Sequence, residues 1–199
     1  MLSSKTLKSL LRLIILSIAG IYTVFSAVAV TPMPIELLAL RVLGPQADEI
    51  TFHKYATKSP HSEYRVVDDK GKIRIEGTND LAMAVGLRRY LAEVCHTRVT
   101  PYAADSVALP HPLPLPHKPL SGTARTDTRF FLNYCTYGYT MPYWKWSDWE
   151  RFIDWMALNG ITMPLAIAGQ EKVWLEVWTE LGLSPESVKS YFTGPAHLP

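Results

Sequence analysis

The stretch "RFFLNYCTYGYTMPYWKWSDWERFIDWMALNGITMPLAIAGQEKVWLEVWTELG", residues 129–182, decides how this chain is built. It opens on a short aromatic strand, "RFFLNYC" (129–135), and passes through a loop to "SDWE" (147–150). That tetrapeptide predicts a capping box, in which Ser147 accepts from the Glu150 amide while Glu150 reaches back. Trp149, Phe152, Ile153 and Met156 then share one helix face, and Asn159-Gly160 stops the helix. "ITMPLAI" (161–167) follows as a buried strand, although Pro164 removes one ladder donor. Beyond Gly169 a second helix sets Val173, Trp174, Val177, Trp178 and Leu181 along one side, and Ser184-Pro185 starts a third. Strand, helix, strand, helix is the pattern of parallel βα units. Their right-handed connections deliver both strand ends to one face. In a (β/α)8 barrel that face carries the chemistry. Here it would receive Asn133, Cys135 and Thr136 from the first strand and Gly169, Gln170 and Glu171 from the second.

All six tryptophans of the 199-residue chain lie between Trp144 and Trp178. Helical spacing beside aliphatic residues predicts that Trp149, Trp174 and Trp178 are core. Tyr137, Tyr139, Tyr143, Trp144 and Trp146 fall between strand and helix, where no period forces them inward. Two readings stay open for them: a rigid packed loop, or a wall of flat apolar faces with polar edges suited to sugar rings.

Upstream, "PIELLALRVLG" (34–44) reads as a helix with Pro34 in its first turn and Gly44 ending it. "EITFHKY" (49–55) and "EYRVVDD" (63–69) read as strands, and Asp69-Lys70-Gly71 reverses the chain tightly into "KIRIEG" (72–77). Thr78, Asn79 or Asp80 caps a long helix whose apolar stripe is Leu81, Val85, Leu87, Leu91 and Val94. These elements predict a small α+β layer domain over residues 33–109 with no catalytic constellation. Five prolines between 110 and 119 make residues 110–124 a stiff, extended connector. A second unit, residues 125–199, begins near Arg125.

The formal net charge is +2. Setting aside residues 1–29, which carry Lys5, Lys8 and Arg12 and no acid, leaves −1. That balance, without a dense basic stripe, gives no electrostatic case for a nucleic-acid partner. Those same residues predict an export signal: a basic start, the apolar "LIILSIAGIYTVFS", and "AVA" at 27–29 as a cleavage site. The expected location is therefore secreted or periplasmic, with membrane contact only through the signal. The competing reading is an uncleaved anchor over Leu13–Val30. The two cysteines, Cys95 and Cys135, are too few for a disulfide framework. Cys95-His96 has no second ligand pair, so no metal site is predicted.

The run "NYCTYGYTMPYWKWSDWERFIDWMALNGITMPLAIAGQEKVWLEVWTELGLS" with the closing "YFTGPAHLP" resembles the α-N-acetylglucosaminidase family, glycoside hydrolase family 89. The likeness is strongest over residues 125–199 and reaches back to about residue 33 through "GLRRYLAEVC". It implies an α/β fold: a small α+β amino-terminal domain followed by the first two βα units of an incomplete (β/α)8 TIM barrel. It implies exo-hydrolysis of terminal α-linked N-acetylglucosamine from a glycan, with retention and without a cofactor. Retention requires two carboxyls about 5–5.5 Å apart. The family takes both from later barrel strands, so no catalytic residue is assigned within this chain. The resemblance places Asn133, Cys135, Gln170 and Glu171 in or beside the pocket for the terminal sugar. Asn133 and Gln170 would supply amide hydrogen bonds, Cys135 a small thiol wall, and Glu171 a hydroxyl contact or a carboxylate serving the helix dipole.

Arg129 to Pro199 is 71 residues, about two βα units, whereas eight need roughly 250 residues. The expectation is thus a fragment, poorly soluble and inactive alone. Two further function classes stay open, a noncatalytic carbohydrate-binding module and a membrane-tethered fragment.

Overall fold

A computed structural model describes residues 31–102, 108–131, 135–166 and 169–192. The expected export signal and Asn133 lie outside the described residues. The chain from Met33 onward forms one compact unit.

Helix α1 (Pro34–Leu43) starts on the fixed φ of Pro34 and ends at Gly44, whose φ of 59° suits a residue without Cβ. A 3₁₀ turn (Gly44–Glu49) leads to β1 (Ile50–Lys54), and β2 (Glu63–Asp69) and β3 (Lys72–Gly77) follow. Lys70 and Gly71 both take positive φ, 56° and 86°, as a two-residue hairpin turn of matching twist requires. The Asp68 carboxylate accepts from the Gly71 amide at 2.7 Å and holds that turn. The long helix is α2 (Asp80–Glu93), and Asn79 is its cap, accepting from the Ala82 amide at 2.8 Å.

Sheet order is β1-β3-β2-β4, with β1 parallel to β3 and the other pairs antiparallel. The fourth strand, β4 (Leu120–Thr123), was not foreseen: it is the end of the proline-rich stretch, paired with β2 along Glu63–Val66. The prolines before it are not one straight connector: the chain bends at His111-Pro112 and at His117-Lys118, and it lies against the layer domain. The Leu113 side chain is buried and its amide donates to Glu49 at 3.0 Å, while Gln46 donates to the Pro110 carbonyl at 2.8 Å.

The buried face of α2 differs from the expected stripe. Met83, Ala84, Leu87, Tyr90 and Leu91 are its buried centre, whereas Leu81, Val85 and Val94 sit half-buried at its flanks. A helix packed on a sheet as well as on other helices buries a broader and differently centred face than a one-sided stripe.

The second half contains β5 (Phe130–Phe131), the short α3 (Thr136–Tyr139), α4 (Trp146–Leu158), β6 (Met163–Pro164), α5 (Gln170–Glu180) and α6 (Pro185–Lys189). Here the parallel reading holds: Phe130 pairs with Met163 and Phe131 with Pro164. The Met163 and Leu165 amides donate to the Arg129 and Phe131 carbonyls at 3.2 and 3.0 Å. Pro164 falls between them, where this edge asks for no donor.

Three expectations need correction. Strand β6 is exposed rather than buried, since it pairs on one edge with β5 and no described element covers its side chains. The start of α4 is capped one step earlier than "SDWE" suggests: Asp148 accepts from the Lys145 amide at 2.9 Å, and the helix begins at Trp146. Aspartate three residues past the cap reaches that amide, so Ser147 and Glu150 are already inside the helix. Third, α5 has no buried residue: Trp174 and Trp178 are 53% and 43% exposed, and Val173, Val177 and Leu181 are also exposed. Spacing identified the residues that share the face but not what would cover it. A groove of about 330 Å³ between α5 and α6 is lined by Trp174, Trp178, Leu183, Val188 and Tyr191.

Helix α4 serves two cores. Leu158 belongs to the large core under the sheet, with Ile35, Leu87 and Leu91. Phe152 and Met156, with Met141, form a second core flanked by Phe131, Tyr137, Trp144, Trp149 and Trp155. Ile153, expected inside, is exposed, because the surface between the two buried faces points to solvent. Among the described residues, no helix is long and apolar enough to cross a membrane.

Candidate functional site

Because β5 and β6 run parallel, the chain leaves both at the same end of the sheet. Cys135 stands there, half-buried, directly before α3. From the second strand come Gly169, in the left-handed region at φ 82°, and then Gln170 and Glu171 in the first turn of α5, both exposed. Glycine fits that position because a side chain there is disfavoured. Placing Asn133 against these residues lies outside the described residues.

The two exits are joined by a contact that spacing did not announce. The Tyr137 hydroxyl donates to the Leu165 carbonyl, linking α3 to the segment after β6. Tyr137 in turn stacks on Trp149 of α4, ring centroids 5.9 Å apart. Trp144 meets Trp149 and Phe152 edge-on at 5.0 and 5.2 Å, the favoured aromatic arrangement. The five loop aromatics therefore divide. Tyr137 and Trp144 build a rigid packed base, while Tyr139, Tyr143 and Trp146 are exposed.

Behind this base, Asp154 of α4 is buried, and Arg41 of α1 donates two 2.6 Å hydrogen bonds to it, from Nε and Nη2. Glu150 lies 3.9 Å from the same guanidinium. The hydrogen bonds that Arg41 donates to Asp154 hold the Arg41 pKa above its ordinary value, against the opposing effect of partial burial. The partners are 113 residues apart, which no local pattern reveals.

Comparison with known proteins shows the family. Residues 33–115 match the alpha-N-acetylglucosaminidase (NAGLU) N-terminal domain, and residues 129–199 match its tim-barrel domain. The chain belongs to the alpha-N-acetylglucosaminidase family. It is 36% identical over 169 residues to human alpha-N-acetylglucosaminidase, covering 82% of this chain and 23% of the relative. A family 89 glycoside hydrolase from Clostridium perfringens, solved with PUGNAc, matches at 33% identity and TM-score 0.75, over 82% of this chain and 19% of that one. A doubly substituted form of that hydrolase, in complex with its substrate GlcNAc-alpha-1,4-galactose, matches equally well. The chain thus spans about a fifth of the length of these relatives, and its two parallel units are a part of the family's barrel.

Proposed function

We propose that this chain supplies the amino-terminal layer and the first two strand-and-helix units of a retaining exo-α-N-acetylglucosaminidase. Asn133, Cys135, Gln170 and Glu171 then line the pocket for the terminal sugar. The observation that carries this reading is the parallel pairing of Phe130–Phe131 with Met163–Pro164. It supports the reading because parallel strands are left at one end of the sheet, and barrels of this class bind substrate at that end. Asn133 and Gln170 would hydrogen-bond polar groups on the sugar, Cys135 would fit closely against its ring, and Glu171 would accept from a hydroxyl. The two carboxyls of a retaining hydrolysis belong to later strands by the family resemblance, so the 199-residue polypeptide alone is expected to be inactive. Residues 1–29 export the protein, and they alone meet the membrane.

The test is a chimera in which residues 33–192 replace the corresponding region of the Clostridium perfringens hydrolase. Hydrolysis of an aryl α-N-acetylglucosaminide, lost with Gln170→Ala, is expected. A folded but inert chimera would refute the enzymatic reading and favour a noncatalytic sugar-binding module. Turnover by the 199-residue chain alone would refute the placement of the carboxyl pair. Amino-terminal sequencing of the exported form should find residue 30 first; an intact Met1 would instead mean an anchor.

A further inference from the structure

We propose that Arg41 and Asp154 are a positioning pair, through which the amino-terminal layer sets the geometry of the strand tips in the other half of the chain. The pair joins α1 to α4 by a two-pronged ionic contact, with both bonds at 2.6 Å and the carboxylate buried. A guanidinium fork on a carboxylate fixes direction as well as distance, which a single point contact does not. Helix α4 transmits that constraint. On its other face, Trp149 stacks on Tyr137, and the Tyr137 hydroxyl holds the Leu165 carbonyl. A rotation or slide of α4 about its axis therefore moves the turn after β5 and the segment after β6 together. Those are the exits that carry Cys135 and Gln170.

Simple adhesion would need no such directionality. Leu158 and Ala157 of α4 already bury apolar surface against the first core, and an ion pair whose arginine side chain is 39% exposed contributes little to stability. That contrast separates orientation from stability.

The site concerned is the one proposed above, but the test needs no sugar, so the two proposals fail independently. The two cysteines serve as reporters in the 199-residue chain. Cys135 stands at the strand tips, and Cys95 is buried in the first core. An aromatic disulfide reagent is used to follow the labelling of each in the double variant Arg41→Met with Asp154→Leu. The expected result is an unchanged melting temperature and unchanged Cys95 labelling, with Cys135 labelled about fivefold faster, as a local opening requires. Arg41→Lys, which keeps the charge but loses the fork, should give an intermediate Cys135 rate. Identical Cys135 rates in wild type and double variant would overturn the proposal. So would a rise at both cysteines together with a lowered melting temperature, because it would show the pair acting on overall stability alone.

Discussion

The phenol of Tyr90, buried in the last turn of α2, donates a 2.8 Å hydrogen bond to the carbonyl of Pro114. The stretch it holds cannot satisfy itself, since prolines contribute acceptors without donors. Tyr90→Phe keeps the ring and removes the bond. It should lower the unfolding free energy by about 1–3 kcal/mol, the range for leaving one partner of a buried hydrogen bond unmatched. Urea denaturation followed by circular dichroism measures this, and an unchanged midpoint would contradict it.

Alkaline pH should act through the same corner. Burial pushes the Tyr90 phenol far above its ordinary value of 10.0, and burial likewise raises the Cys95 thiol above 9.0. Both groups are neutral when protonated, so in each the folded pKa exceeds the unfolded one. Their stabilising effect is complete below the unfolded values and is lost as pH rises above them. Melting temperature should thus fall above about pH 9 and more steeply above about pH 10. Tyr90→Phe should flatten the second part; equal slopes in both proteins would count against this account.

Phe152 is fully buried and lies 5.2, 5.8 and 6.1 Å from the rings of Trp144, Trp155 and Phe131. Phe152→Ala should cost about 3–5 kcal/mol through lost burial and the cavity left behind. Tryptophan emission should shift to the red, because neighbouring indoles gain water. A variant as stable as wild type would mean that the second core is not closed around this ring.

Gly122 of β4 stands opposite Tyr64 of β2 in the ladder, and the Tyr64 ring lies over it. A Cβ at position 122 would come within 2.6 Å of the ring carbon Cε1. Gly122→Ala should therefore destabilise by about 1–3 kcal/mol, the cost of overpacking. Amide exchange would show faster opening confined to Leu120–Thr123 and its partner strand, and uniform protection would exclude the idea.

The bare face of α5 predicts self-association. Trp174→Glu with Trp178→Lys should raise solubility and reduce the binding of an apolar dye, since large exposed apolar patches drive association. The melting temperature should stay within about 0.5 kcal/mol equivalent of wild type, as for surface positions generally. A large loss of stability would show that these indoles are covered in solution.

Much of the architecture was legible because it is local. The hairpin at Lys70-Gly71, the helix between Pro34 and Gly44 and the cap near Asn79 follow from residue chemistry at fixed offsets. Strand β4 was not legible, since "LSGT" has neither a clear alternation nor β-branched bulk, and only its pairing with β2 makes it a strand. The cap of α4 lies one step earlier than expected because two acids, Asp148 and Glu150, each sit three residues after a possible cap, and the observed start at Trp146 puts Asp148 on the Lys145 amide. The link between Arg41 and Asp154 depends on tertiary packing across 113 positions and leaves no periodic trace. Of the site, the parallel exits of the two strands were readable from element order, whereas the tie from Tyr137 to Leu165 was not.

Leu158 is a late residue in an early core. During synthesis, the amino-terminal layer emerges with one of its packing partners still unmade, and it closes only when the end of α4 arrives. The layer's last interior side chain is thus delivered by the neighbouring half, so the two halves are expected to melt in one event rather than two. A calorimetric trace with one peak is the physical signature of that shared residue.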